Sequence, residues 1–174
     1  NVLSNLIEGF RYVRSNNVIL ATVWVTLFMN LLLFSYMPMV PVIAKDYLNV
    51  GPGLMGILMG APGLGALVGA LLIASAGNLH YHGRVYLGGS MLALSALVVF
   101  SLSQRYLLSL PILLVLGLGT AGFGTMQATI VMLVASEEMR GRALGVVSLA
   151  IGAGPLGNVL VGVVASAASP PLAI

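Results

Sequence analysis

Apolar residues fill five long stretches of this chain, and the charged residues fall mainly in the intervals between them. The stretches lie near 18–43, 53–76, 85–103, 107–135 and 143–167. At about 1.5 Å of rise per residue, each is long enough as a helix to cross a hydrocarbon core of about 30 Å. The runs are continuous and do not alternate in segments of about ten residues, as membrane barrel strands do. The pattern therefore predicts an all-α membrane protein, a multi-pass transmembrane helical bundle over 18–174. Residues 1–17 read differently. There Leu3, Leu6, Ile7 and Phe10 recur at helical spacing with Glu8, Arg11 and Arg14 interleaved. That spacing predicts a cytoplasmic amphipathic lead-in helix lying on the membrane surface.

Composition removes the soluble reading. Of 174 residues, 59% are hydrophobic and 6% are charged, whereas soluble domains carry about 25% charged residues. Cysteine is absent, which excludes disulfides and thiolate sites. The net charge of +3 is dispersed over membrane-flanking turns, so nucleic acid is not an expected partner; the lipid bilayer is. Arg11, Arg14, Arg84, Arg140 and Arg142 fall on the side of the N-terminus, and Lys45 and Arg105 on the other. Basic residues concentrate in cytoplasmic loops, which predicts a cytoplasmic N-terminus and an external C-terminus. The chain does not begin with Met and is expected to be a piece of a longer protein.

Polar residues inside the spans are the candidates for function. Asn30, Gln127 and Asn158 are amides placed in hydrocarbon. Each must face the protein interior or a watery cavity, because lipid offers no hydrogen-bond partner. One reading is an interhelical hydrogen bond worth about 1 kcal/mol. The other is a substrate-binding wall, in which Phe34 and Phe123, one turn from Asn30 and Gln127, add aromatic surface. That mixture suits a bulky, partly apolar substrate. No acid lies mid-span, no His or Cys cluster has metal-ligand spacing, and no phosphate loop is present. An enzyme, a metal site and a cofactor are therefore not expected, and His80 and His82 read as a solvated turn.

Two further groups of residues concern movement. In the second span, Gly56 and Gly60, then Ala61, Gly65 and Gly69, form rows of small residues that let helices approach closely, and Pro62 is expected to kink that helix. Gly154 and Pro155 are a hinge candidate in the last span. The turn Ser136-Glu137-Glu138-Met139-Arg140-Gly141-Arg142 concentrates charge between two apolar runs. Gly141 is expected to permit a tight turn. Glu137 and Glu138 follow a helix C-terminus, an unfavourable place for an anion, and the two arginines are expected to grip them. Glu137, Glu138, Arg140, Gly141 and Arg142 are thus read as a cytoplasmic gate; the other reading is a solvated turn whose arginines only fix topology, with ion pairs worth no more than about 1 kcal/mol.

The same turn, with the following Gly154-Pro155-Leu156-Gly157 and Gly162, resembles the turn between the tenth and eleventh helices of major facilitator superfamily transporters. The similarity is greatest to the branch that holds the enterobactin exporter and related drug-efflux proteins. Glu8-Gly9-Phe10-Arg11-Tyr12-Val13-Arg14 is similar to that branch's lead-in to its seventh helix, and Pro41 fits the end of that helix. The turn Gly77-Asn78-Leu79-His80-Tyr81-His82-Gly83-Arg84 looks like a degenerate copy of the family's loop motif, lacking its Asp and one residue. The resemblance implies half of a major facilitator fold, helices seven to eleven, whose partner is the missing N-terminal half of the same transporter. It implies a secondary active transporter in a bacterial cytoplasmic membrane. That transporter would export a siderophore or a drug-like small molecule by alternating access, through proton antiport. The seventh, eighth, tenth and eleventh helices are expected to line the path and the ninth to be peripheral. A truncated, non-transporting membrane subunit or scaffold is the alternative.

Overall fold

The computed structural model describes residues 2–77 and 80–167. Asn78 and Leu79 of the second turn, and the Ser169-Pro170-Pro171 tail expected to end the last helix, lie outside them. Among the described residues six helical elements follow one another: α1 Val2–Ser15, α2 Asn17–Tyr47, α3 Pro52–Ser75, α4 His82–Ser101, α5 Tyr106–Val134 and α6 Arg140–Ala167. The described residues contain no strand. Elements α2 to α6 are each long and apolar enough to cross a membrane. Large side chains such as Leu64, Leu71, Met91, Val98, Leu107 and Val163 are exposed on their outer faces, as lipid-facing positions are.

Helix α5 is the axis of the bundle, with α3 and α4 packed along it. Glycines make this possible, because van der Waals contact rather than apolar burial drives helices together in lipid. A Cβ on Gly65 would overlap the carbonyl of Leu114, and one on Gly117 would overlap the carbonyl of Pro62. On the other side of α5, a Cβ on Gly89 would lie 2.6 Å from the Gly119 carbonyl oxygen. Only one of the two small-residue rows of α3 packs. Ala61, Gly65 and Gly69 are buried, but a Cβ on Gly56 or Gly60 would meet nothing within 4 Å. Gly60 precedes Ala61 by one residue, about 100° around the helix, and so points away from α5.

The irregularities fall in α2 and at the Gly154-Pro155 hinge candidate of α6, not at Pro62. Helix α3 runs without interruption through Pro62. Helix α2 changes its winding: α-helical from Asn17 to Phe28, wide over Met29–Leu33, tight over Phe34–Met39, and wide again over Ile43–Tyr47. Pro38 and Pro41 lack the N–H groups that would bond to the carbonyls of Phe34 and Met37, so regular α-winding cannot continue there. The Phe34 N–H bonds instead to Met29 O, five residues back. Helix α2 continues to Tyr47, which places Lys45 and Asp46 in its last turn rather than in a loop. Helix α6 is broken at Gly152 and Ala153. Pro155 has no N–H for the carbonyl of Ile151, and winding restarts at Gly154.

Buried side chains among the described residues form two cores. The larger joins α2, α3, α4 and α5 through Leu33, Tyr36, Leu58, Phe100, Leu116 and Phe123, among others. The smaller sits where α1 meets the bundle and includes Val13, Ile19, Val131, Ala143 and Val146. Asn16 separates α1 from α2 and caps α2, its side chain accepting from the Val18 and Ile19 N–H groups.

Candidate functional site

A chain of polar groups crosses the interior between α2, α4 and α5. Thr22, Thr26 and Asn30 recur at one-turn intervals, which places them on one face of α2; all three are buried. The Thr26 hydroxyl donates to Thr22 O at 2.8 Å, and the Tyr86 hydroxyl donates to the same carbonyl at 3.0 Å. The two hydroxyl oxygens lie 3.1 Å apart. Gln127 of α5 donates its Nε2 to the Thr26 hydroxyl oxygen at 2.6 Å. Asn30 donates its Nδ2 to Thr26 O at 2.9 Å. A carbonyl only accepts, so Asn30 must present its nitrogen there and turn its Oδ1 elsewhere. Among the described residues, Asn30 Oδ1 and Gln127 Oε1 accept no hydrogen bond.

Aromatic rings border these amides. Phe34 and Phe123 are tilted against each other at 5.9 Å, and Tyr86 stacks on Phe123 at 5.5 Å. Phe34 follows Asn30 by four residues and Phe123 precedes Gln127 by four, so the rings neighbour the amides along α2 and α5. Asn30 lies in the wide-wound turn of α2, a form of winding that recurs at functional sites. A cavity of about 610 Å3 opens between α2, α4 and α5 and reaches Thr22 and Tyr86 at its inner end, without touching Asn30 or Gln127.

The structure thus brings Asn30, Phe34, Phe123 and Gln127 together. It does not bring Asn158. Gly157 takes the position facing α2, where a Cβ would overlap Leu31 O. Asn158, one residue on and about 100° around the helix, is exposed. Gly154 does reach the site, a Cβ there standing 4.0 Å from Asn30 Oδ1, while Pro155 is exposed. Sequence reasoning missed Thr22, Thr26 and Tyr86. The Thr22-Thr26-Asn30 spacing was a usable signal. Tyr86 was not, because α4 was expected to be peripheral and its contribution lies near its first turns.

The charged turn is arranged differently from the expected gate. Arg142 does not pair with Glu137 or Glu138. Its Nη1 donates to Glu8 Oε1 of α1 at 2.7 Å. Arg140 and Glu137 approach at 3.8 Å, both solvent-accessible, and Glu138 is exposed. Gly141 lies inside α6 with ordinary helical backbone, so it does not form the turn; Gly77 is the glycine with positive φ among the described residues. Gly9 supplies the close approach instead, a Cβ there standing 3.0 Å from Arg142 O. The Ser136 N–H donates to the Tyr12 phenol oxygen at 3.1 Å, which holds the Tyr12 pKa below its ordinary value. Glu8, Gly9 and Tyr12 together clasp α1 to the α5–α6 turn. Neither partner of the Glu8–Arg142 pair is buried, so it contributes no more than about 1 kcal/mol. Glu8→Gln is expected to leave the bundle intact and to speed hydrogen exchange in α1 alone. Unchanged exchange in α1 would show that the clasp does not hold it.

Fold and site together define a multi-pass α-helical membrane protein with a polar, aromatic-lined centre between its helices. The chain belongs to the transmembrane secretion effector family of the major facilitator superfamily, which it matches over residues 1–174. It is 30% identical over 177 aligned residues to the multidrug efflux pump Tap of Mycolicibacterium fortuitum. That alignment covers 96% of this chain and 41% of the pump. No solved structure matches.

Proposed function

We propose that the chain is the C-terminal half of an efflux transporter, and that the Asn30–Thr26–Gln127 chain with Phe34 and Phe123 forms part of its substrate site. The observation that carries this reading is the pair of unpartnered amide oxygens, with an aromatic ring one turn from each amide, inside a membrane-spanning bundle. An acceptor without a donor at membrane depth is an incomplete hydrogen bond, which a substrate donor would complete. The rings favour a bulky apolar body or a delocalised cation. A drug-like amine or amide meets both requirements, and the likeness to a multidrug efflux pump supports that class.

Transport would proceed by alternating access, the two halves rocking about the midplane. The irregular winding of α2 and the break in α6 supply bending points on the helices nearest the site. Proton antiport would provide the energy. The acids here are Glu8, Asp46, Glu137 and Glu138, none mid-span, so the proton-carrying group would belong to the other half. Everted vesicles holding the full-length transporter should accumulate a cationic aromatic dye when energised and lose it on addition of a protonophore. Accumulation insensitive to the protonophore would remove antiport from the reading.

The proposed orientation places α1 in the cytoplasm of a bacterial cell. The chain has no cysteine, so single cysteines report cleanly. A cysteine at Ser103 should react with an impermeant thiol reagent from outside intact cells, and one at Ser15 only after lysis. The reverse pattern would invert the topology.

A further inference from the structure

Between α1, α2 and α6 lies a groove of about 560 Å3 whose two ends differ in chemistry. Arg11 and Arg14 stand at its rim, both exposed. Neither makes an ion pair or hydrogen bond with another described residue, and the nearest acid on the same helix, Glu8, is engaged by Arg142. The wall below is apolar and follows α2 through Leu20, Trp24 and Leu27, with Val146 of α6 opposite. From Leu20 to Leu27 that wall descends about 10 Å along a membrane-spanning helix. Ile7 and Phe10 are also exposed on α1, which sets this helix at the level where headgroups meet acyl chains.

We propose that this groove binds one anionic phospholipid, its phosphate between Arg11 and Arg14 and an acyl chain along Leu20, Trp24 and Leu27. The argument is charge and shape complementarity. Two unneutralised guanidinium groups at the membrane surface attract a phosphate and grip it through paired N–H donors. A free anion would use the arginines but not the apolar wall, and a zwitterionic lipid would bring a cationic headgroup beside the two arginines and leave their net charge unneutralised. Bound lipid would join α1 to α2 beside the Glu8–Arg142 clasp, since Val146 of the groove lies one turn from Arg142. The site is independent of the proposed substrate site, since it shares no residue with it.

The chain holds a single tryptophan, and it stands in this wall, so its fluorescence reads occupancy directly. The intact chain would be reconstituted in vesicles containing brominated phosphatidylglycerol or brominated phosphatidylcholine with the same acyl chains. Half-maximal quenching of Trp24 is expected at a mole fraction of phosphatidylglycerol lower by on the order of tenfold. Arg11→Gln with Arg14→Gln should abolish that preference, Arg11→Lys with Arg14→Lys should keep most of it, and Arg84→Gln, beside the other cavity, should not change it. Helix content from circular dichroism should be equal in all. Equal quenching by the two lipids would overturn the proposal, as would a preference that survives the double Gln variant. Displacement of quencher by millimolar inorganic phosphate would show a free-anion site and overturn it too. Absence of quenching by either lipid would mean that protein covers the groove, and the lipid site would then be refuted.

Discussion

Gly117→Val is expected to abolish recovery of folded protein. A side chain there must enter the carbonyl of Pro62, and backbone cannot move aside as a flexible side chain would. The helix cannot retreat either. Moving α5 away from α3 presses it against α4, where Gly119 and Gly122 are already in backbone contact with Gly89 and Val85. Overpacking costs about 1–3 kcal/mol where side chains can adjust, so a backbone clash held from both sides should exceed that range. Size-exclusion recovery in mild detergent, and the melting of the helical signal, measure the outcome. Gly124→Ala in the same helix is the control, because a Cβ there meets nothing within 4 Å. Removing that glycine should be neutral or should stabilise the helix by up to about 1 kcal/mol. A valine variant that melts like the parent would show that α3 and α5 do not approach as closely as described.

Gln127→Leu in the full-length transporter is expected to lower export at least tenfold while folded protein remains. The structural loss is small. Thr26 still donates to Thr22 O and still touches Tyr86 when the amide is gone, and an interhelical hydrogen bond in a membrane contributes about 1 kcal/mol. The functional loss is larger, because the variant removes Oε1, one of the two acceptors offered to substrate. Asn30→Ala should act alike. Asn158→Ala should leave export unchanged, since that amide stands apart on α6. Export per folded molecule is the decisive quantity. If it holds steady while total folded protein falls, the amide chain only packs helices and the substrate assignment is lost.

The outcome at α2 shows how far sequence pattern reaches. Its apolar length predicts a helix long enough to cross a membrane, and a helical element of that length is found over Asn17–Tyr47. Its winding was not legible, because it depends on how Pro38 and Pro41 divide the unsatisfied carbonyls among neighbours already fixed by packing. The site was legible in part for the same reason. An amide in hydrocarbon announces that it needs a partner, which singled out Asn30 and Gln127 without saying which partner it would be. Both meet Thr26, an ordinary residue by composition. Asn158 met the same criterion and is exposed on α6, apart from the other two.

The sequence by itself determined the class, the five long apolar helices and the family, because a length and polarity suited to lipid is a condition that each segment meets locally. Only the tertiary structure decided which glycine row packs, which acid Arg142 grips and which amide joins the site. Those outcomes depend on helix rotation, where a shift of one residue turns a side chain by about 100°, and on neighbours distant in the chain, such as Glu8 beside Arg142.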